Sequence, residues 1–214
     1  MLNVLIVGGG PIDLAQLKSE MASKPELIIA ADRGGSYLWE IGAFPHVLLG
    51  DFDSLSKTVL SEMKAANVGI QVFSPKKDFT DLELALDLAI KRGVDSIRIL
   101  GGLGNRLDHT LGNIGLLLRP LALGIETHLL DEYHDIVLIK DAIKLKRKPG
   151  WAVSLIPLSQ KVTGITTTGL LYPLTQAELY LHSARGIHNE LTGESAYIKV
   201  DEGILIVVCF REKY

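Results

Sequence analysis

From residue 2 to residue 130 the chain alternates short apolar runs with amphipathic stretches. Residues 2–7, 27–31, 47–49, 70–73, 97–100 and 126–130 read as buried strands of a largely parallel sheet. Between them, residues 12–21, 35–41, 56–66, 80–91 and 109–118 have helical spacing. Within 80–91, Leu82, Leu86 and Ile90 recur every four positions, and Leu84, Ala85 and Ala89 widen the stripe into one apolar face. Such alternation predicts right-handed βαβ units with helices on both faces of the sheet. After about residue 131 the period changes. Residues 136–139, 142–145, 152–157, 160–167, 196–200 and 203–209 read as strands, parted by turn residues such as Pro149-Gly150 and Asp201-Glu202-Gly203. Residues 174–181 suggest only a short helix or an irregular excursion. The expected architecture is an α/β domain with a mostly parallel sheet and flanking helices over residues 1–131. An all-β antiparallel sandwich follows over residues 132–214.

Composition narrows the class without naming a chemistry. The chain has 214 residues, 47% of them hydrophobic, enough for a packed core without disulfide or zinc staples. Twenty-two basic against 25 acidic side chains leave a net charge of -3, and no dense basic patch suggests nucleic acid. No run is long and apolar enough to predict a membrane span, and the first residues lack the features of a signal peptide. The one cysteine, Cys209, lies in an apolar run and reads as a core residue. A soluble cytoplasmic protein is expected.

Candidate chemistry gathers just beyond the predicted strands, where open α/β sheets bind ligands. Gly8-Gly9-Gly10 suits either a tight turn or a phosphate cradle, but Asp13 stands where a dinucleotide fingerprint wants glycine. Asp32-Arg33-Gly34-Gly35 offers a forked donor beside flexible backbone. Asp51 and Asp53, two residues apart directly after a strand, are the strongest signal. A bare turn has no use for two mutually repelling carboxylates, whereas a hard divalent cation does. Lys76-Lys77 precedes a helix start at which Thr80 can cap and Asp81 can add a metal oxygen. Finally, Gly101-Gly102-Leu103-Gly104-Asn105-Arg106-Leu107-Asp108-His109 places a guanidinium and a carboxylate in a glycine-rich loop. His109, in a first helical turn, reads as a structural hydrogen-bonder. These loops converge on one edge of one sheet, which describes a single anionic-ligand site with magnesium.

Asp32-Arg33-Gly34, Gly50-Asp51-Phe52-Asp53-Ser54, Lys77-Asp78-Phe79-Thr80-Asp81 and Gly101 to His109 together resemble the thiamine pyrophosphokinase (thiamine diphosphokinase) family. Residues 168–174 and Gly186-Ile187-His188-Asn189-Glu190, followed by Gly193, extend the resemblance through the second half. It implies an N-terminal domain that binds ATP as co-substrate, a C-terminal β-sandwich, and a homodimer with thiamine held between subunits. By that resemblance Asp51, Asp53 and Asp81 hold Mg2+. Asp32, Arg33, Lys77, Thr80, Gly102 and Arg106 form the nucleotide site, with Asp108 beside them as a catalytic acid or base. Tyr172, His188, Asn189 and Glu190 fall at the thiamine. One departure stands out: His188 occupies a place where the family carries serine. The implied reaction moves the β,γ-diphosphoryl group of ATP to the hydroxyl of thiamine, with Asp108 or a metal-linked carboxylate taking the proton.

Two rival classes are consistent with the same residues. A metal-dependent nucleotide phosphoesterase can use Asp51, Asp53 and Asp108-His109, although the six histidines are scattered. A non-catalytic thiamine or nucleotide sensor is disfavoured, because acids without a metal repel a phosphate.

Overall fold

Strands that are apolar on both sides must be covered on both sides, and the helices between them supply the cover. The computed structural model describes residues 2–74 and 78–211. The chain divides into two compact units, Met1–Glu132 and Tyr133–Tyr214.

The first unit runs β1 (Asn3–Val7), α1 (Leu14–Ala22), β2 (Leu27–Ala31), α2 (Gly34–Glu40), β3 (Val47–Gly50), α3 (Lys57–Ala65), β4 (Gly69–Val72), α4 (Asp81–Lys91), β5 (Ser96–Leu100), α5 (Leu107–Leu116), α6 (Leu118–Ala122) and β6 (Glu126–Leu130). Its strands pair in parallel in the order β6-β5-β1-β2-β3-β4. Leu5, Val7, Ile28, Ala30, Leu48 and Leu100 turn to one face, where they pack with Leu17 of α1, Leu38 of α2 and Val59 and Met63 of α3. The alternate residues, among them Ile6, Ile29, Leu49 and Ile99, are equally buried and belong to the face that α4 covers. Local chemistry starts the helices. Asp13 caps α1 by accepting from Gln16 N at 2.7 Å, Ser56 caps α3, and Thr80 caps α4 by accepting from Glu83 N at 3.1 Å. Asp81 and Glu83 in the first turn and Lys91 in the last complement the dipole of α4.

The second unit runs β7 (His134–Ile139), β8 (Ala142–Lys146), β9 (Trp151–Pro157), β10 (Lys161–Thr168), β11 (Ala177–Tyr180), β12 (Asn189–Glu190), β13 (Ser195–Lys199) and β14 (Leu205–Arg211). Two antiparallel layers form, β12-β9-β14-β7 and β11-β10-β13-β8. Between them lies one core drawn from both, including Val137, Val153 and Val207 against Leu145, Val162 and Ile198. This is the expected sandwich.

Two details differ from the periodicity reading. Residues 70–73 do not form a buried strand: β4 is an edge strand, and Val72 is 72% exposed. Residues 174–181 are neither helix nor excursion alone, since β11 pairs antiparallel with β10 there. Leu179 is the residue that β11 buries, too brief an alternation to announce a strand. Among the described residues no helix is long and apolar enough to cross a membrane.

Candidate active site

The order of the first sheet contains a switch point. From β1 the chain proceeds to β2 on one side, whereas β5 and then β6 lie on the other. Loops leaving β1 and β5 therefore part in opposite directions and open a crevice at their C-terminal ends. Val7 and Leu100 are register partners, so the two glycine-rich turns meet directly. Gly8 N donates to Leu100 O at 2.8 Å and Gly10 N to Gly101 O at 3.0 Å. A Cβ on Gly10 would lie 2.5 Å from Gly101 O, so this turn must be glycine for backbone to meet backbone. With two of its N–H groups already engaged, Gly8-Gly9-Gly10 is chiefly a packing turn.

Above this floor lies a cavity of about 520 Å³, lined in part by Gly10, Asp32, Thr80, Asp81, Gly102 and Arg106. At its acidic side, one carboxylate oxygen each from Asp32, Asp51 and Asp53 lies within 4.8 Å of the others. Parallel pairing explains the meeting: Ala31 is the register partner of Leu49, so the ends of β2 and β3 stand side by side. The chain bends sharply to achieve it. Asp32 and Phe52 both have positive φ, 45° and 63°. Phe52 N donates to Asp32 Oδ1 at 3.1 Å, and Asp53 N donates to Asp51 Oδ1 at 3.1 Å. Gly50 has no freedom to be anything else, because a Cβ there would sit 2.0 Å from Asp32 Oδ1.

Burial pushes the Asp32 carboxyl up to about 6, and the Asp81 carboxyl, within hydrogen-bonding reach, and the nearby Asp51 push in the same direction. Carboxylates drawn together by the fold are what a hard cation relieves, and the all-oxygen donor set fits Mg2+. The converging set is Asp32 with Asp51 and Asp53. Asp81 stands against Asp32, at the start of α4, rather than within the triad.

Cationic and hydroxyl groups complete the rim. Arg106 Nε donates to Asp108 Oδ1 at 2.9 Å and its Nη2 to Asp108 Oδ2 at 2.5 Å. The pair holds the exposed Asp108 carboxyl well below the usual carboxylate range. Thr80 spends an oxygen lone pair on its cap and keeps its hydroxyl proton for another acceptor. Arg33 lies over the Tyr37 ring at 5.4 Å and does not line the cavity. Lys77 lies outside the described residues.

In the second unit the candidate residues are drawn together by a clip. Asn189, 8% exposed, accepts from Tyr172 N at 3.0 Å and from Glu190 N at 2.9 Å, and donates to Tyr172 O at 2.8 Å. Leu171 N donates to Glu190 O at 2.9 Å and Thr192 N to Gly169 O at 3.0 Å, so segments 168–174 and 186–193 run side by side. Asn189 is thus mostly engaged in holding Tyr172, whose ring side is exposed together with Leu171 and Ile187. His188 has φ 58°, its N donates to Ser154 Oγ at 3.0 Å, and its ring meets Phe210 edge-on at 5.7 Å. Cys209 is inert by burial, its thiol pushed up to about 12.

One cavity residue escaped the sequence reading. Asn113, inside α5, is 9% exposed and donates from Nδ2 to Gly102 O at 2.7 Å. Asn113 is the one residue that α5 buries, so no apolar stripe around it marks the position as inward-facing.

A parallel sheet with acids and glycine turns around a switch-point crevice, joined to a β-sandwich, defines an α/β enzyme that handles anionic ligands. Residues 19–129 match the model for thiamin pyrophosphokinase, catalytic domain, and residues 140–205 that for thiamin pyrophosphokinase, vitamin B1 binding domain. Thiamine pyrophosphokinase from Bacillus subtilis (strain 168) is 34% identical over 97% of this chain and 98% of that protein. A crystal structure of the Bacillus subtilis protein matches with a TM-score of 0.90 at 32% identity, covering 99% of this chain and 100% of that chain. That of thiamin pyrophosphokinase from Geobacillus thermodenitrificans matches with a TM-score of 0.86 at 32% identity, covering 99% and 98%. The chain belongs to the thiamine pyrophosphokinase family and is an enzyme of that kind.

Proposed function

We propose that the chain transfers the β,γ-diphosphoryl group of ATP to the primary hydroxyl of thiamine, with AMP leaving. The hydroxyl oxygen forms a bond to the β-phosphorus as the bond from that phosphorus to the α,β-bridging oxygen breaks. The hydroxyl proton passes to a carboxylate or to water. What supports the reading most is the convergence of Asp32, Asp51 and Asp53 beside a cavity rimmed by Thr80 and Arg106.

Asp32, Asp51 and Asp53 would hold Mg2+, with Asp81 adjoining them. When bound, the ion supplies charge neutralisation to phosphate oxygens, which is most of what phosphoryl transfer asks of an enzyme. The remaining work falls to the protein's own groups. Arg106 keeps N–H donors beyond the two given to Asp108, and these suit phosphate oxygens. Asp108 aims that guanidinium. The same pairing favours its charged form, and Asp108 or a carboxylate beside the metal remains the proton acceptor of this reading. Thr80 can donate its free hydroxyl proton to the same phosphates. Gly102 and the backbone of its loop form the floor.

Tyr172, with an exposed ring, and Glu190 suit a cationic thiazolium by aromatic and carboxylate contact. Asn189 acts there by fixing Tyr172. The proposal includes a homodimer that holds thiamine between subunits, with residues 1–131 as the nucleotide domain and 132–214 as the thiamine and dimer domain, in a cytoplasmic setting. Incubation with Mg2+, ATP and thiamine, followed by chromatography, is expected to yield thiamine diphosphate and AMP in equal amounts. Formation of ADP, or release of phosphate without thiamine, would overturn this reading. Light scattering on the same preparation checks the dimer.

A further inference from the structure

Asn113 is the one residue that α5 buries, at a position where a helix ordinarily turns an aliphatic side chain inward. A buried amide persists where both its ends have work. The nitrogen end is accounted for, since Nδ2 donates to Gly102 O at 2.7 Å. Because a carbonyl can only accept, this bond also fixes the orientation of the amide, with Oδ1 turned away from Gly102. Asn113 lines the cavity. Among the described residues nothing donates to Oδ1, and Oδ1 is not sealed from solvent either; the sealed side-chain atom without a partner is Gln16 Oε1. The residue that carries this fixed acceptor lines the cavity.

We infer that Asn113 selects the nucleoside of the nucleotide, with Oδ1 accepting a hydrogen bond from a donor on it. The assignment rests on the ATP reading above and deepens it. Phosphate is the wrong occupant for this corner. Its oxygens are acceptors, and an amide carbonyl repels them, whereas Thr80 and Arg106 present donors. On ATP, the neutral donors are the ribose hydroxyls and the 6-amino group of the base. The Gly102 bond holds the acceptor in place before the ligand arrives, so little side-chain freedom remains to be lost on binding.

The test pairs ligand analogues with variants. KM and kcat are measured for ATP, 2′-deoxy-ATP, 3′-deoxy-ATP and ITP on the wild type and on Asn113→Ala. Calorimetry with AMP, the deoxy-AMPs and IMP reads binding without turnover. For the wild type, one analogue is expected to bind about tenfold more weakly than its parent, mostly in KM. A deoxy analogue assigns the ribose, and the inosine analogue assigns the 6-amino group. In Asn113→Ala that preference is expected to vanish, because ATP weakens and the analogue does not. Asn113→Ser serves if the alanine variant fails to fold, and the wild-type series stands without either. Equal handling of ATP and all three analogues by the wild type overturns the assignment, as does a preference that survives in both variants. A wild type that consumes no ATP removes the ATP reading along with it, whereas ATP turnover without nucleoside preference removes this assignment alone.

Discussion

The two units treat their polar residues in opposite ways. In the first, Asp32, Asp51 and Asp53 are crowded together on bent backbone, and burial, with Asp81 and Asp51 nearby, pushes the Asp32 carboxyl up to about 6. In the second, the polar residue nearest the candidate thiamine surface satisfies itself: Asn189 makes hydrogen bonds to the backbone of Tyr172 and Glu190 and leaves an exposed apolar face around it. The first arrangement stores electrostatic repulsion that a ligand can discharge. The second stores shape. Residues of the first kind should cost activity without costing fold, and residues of the second kind should cost fold first.

The widest gap between the two should appear with the acids. Asp51→Asn and Asp53→Asn are each expected to lower Mg2+-dependent turnover by about a hundredfold or more, with the circular dichroism spectrum and melting temperature held or raised. Unchanged turnover in both variants would remove the metal site from the account. The counterpart in the second unit is Asn189→Ala. It leaves Tyr172 N and Glu190 N without their shared acceptor, at a cost of about 2 kcal/mol. A fall of several degrees in melting temperature is expected, together with a severalfold rise in the KM for thiamine and little change in that for ATP. A melting temperature equal to wild type would show that the clip is dispensable.

How far the sequence could be read follows the same division. Asp51 and Asp53 are legible because their spacing and their place after an apolar run lie within one short segment. Asp32 reads as a nucleotide contact rather than a member of the triad, because its partnership depends on β2 and β3 being neighbours, and strand order is not written in local periodicity. The same applies to Gly8-Gly9-Gly10. Only the pairing of β1 with β5 shows that two of its N–H groups, those of Gly8 and Gly10, face the end of β5 and its turn. Asn113 is hidden for a different reason: a lone polar residue in a helix looks like solvent-facing surface until the helix is placed against the glycine loop. Tyr172 and Asn189, 17 residues apart, share a hydrogen-bonded clip that no spacing rule foretells.

A smaller effect sharpens the contrast from within the first unit. Asp32→Asn keeps the Oδ1 that accepts from Phe52 N, and asparagine tolerates the positive φ of this position. It removes the charge whose folded-state affinity for protons is raised from 3.8 to about 6. An elevated carboxyl binds its proton more tightly in the folded state, so its destabilising influence is absent below pH 4, grows between pH 4 and pH 6, and is complete above that. A rise of this size corresponds to at most about 3 kcal/mol, and screening at a half-buried group reduces it to about 1 kcal/mol. Metal-free Asp32→Asn should therefore melt a few degrees above wild type at pH 7.5 and level with it at pH 4, while losing the stabilisation that Mg2+ gives the wild type. A variant less stable than wild type at pH 7.5 would show that no repulsion was stored there.

The smallest effect belongs to His188, where the resemblance leads one to expect serine. His188 holds its ring against Phe210 and binds Ser154 through its backbone N–H, which any residue able to adopt φ 58° retains. His188→Ser removes the edge-on aromatic contact, worth about 0.5–1 kcal/mol, and adds a hydroxyl. If the imidazole is a packing element, as its place against Phe210 implies, the melting temperature should drop by a degree or two and the KM for thiamine should stay within about twofold. A tenfold change in that KM, with stability unmoved, would instead put the imidazole on the substrate. In that case His188 would join Tyr172 and Glu190 as a side chain of the second unit kept for its ligand rather than for its neighbours.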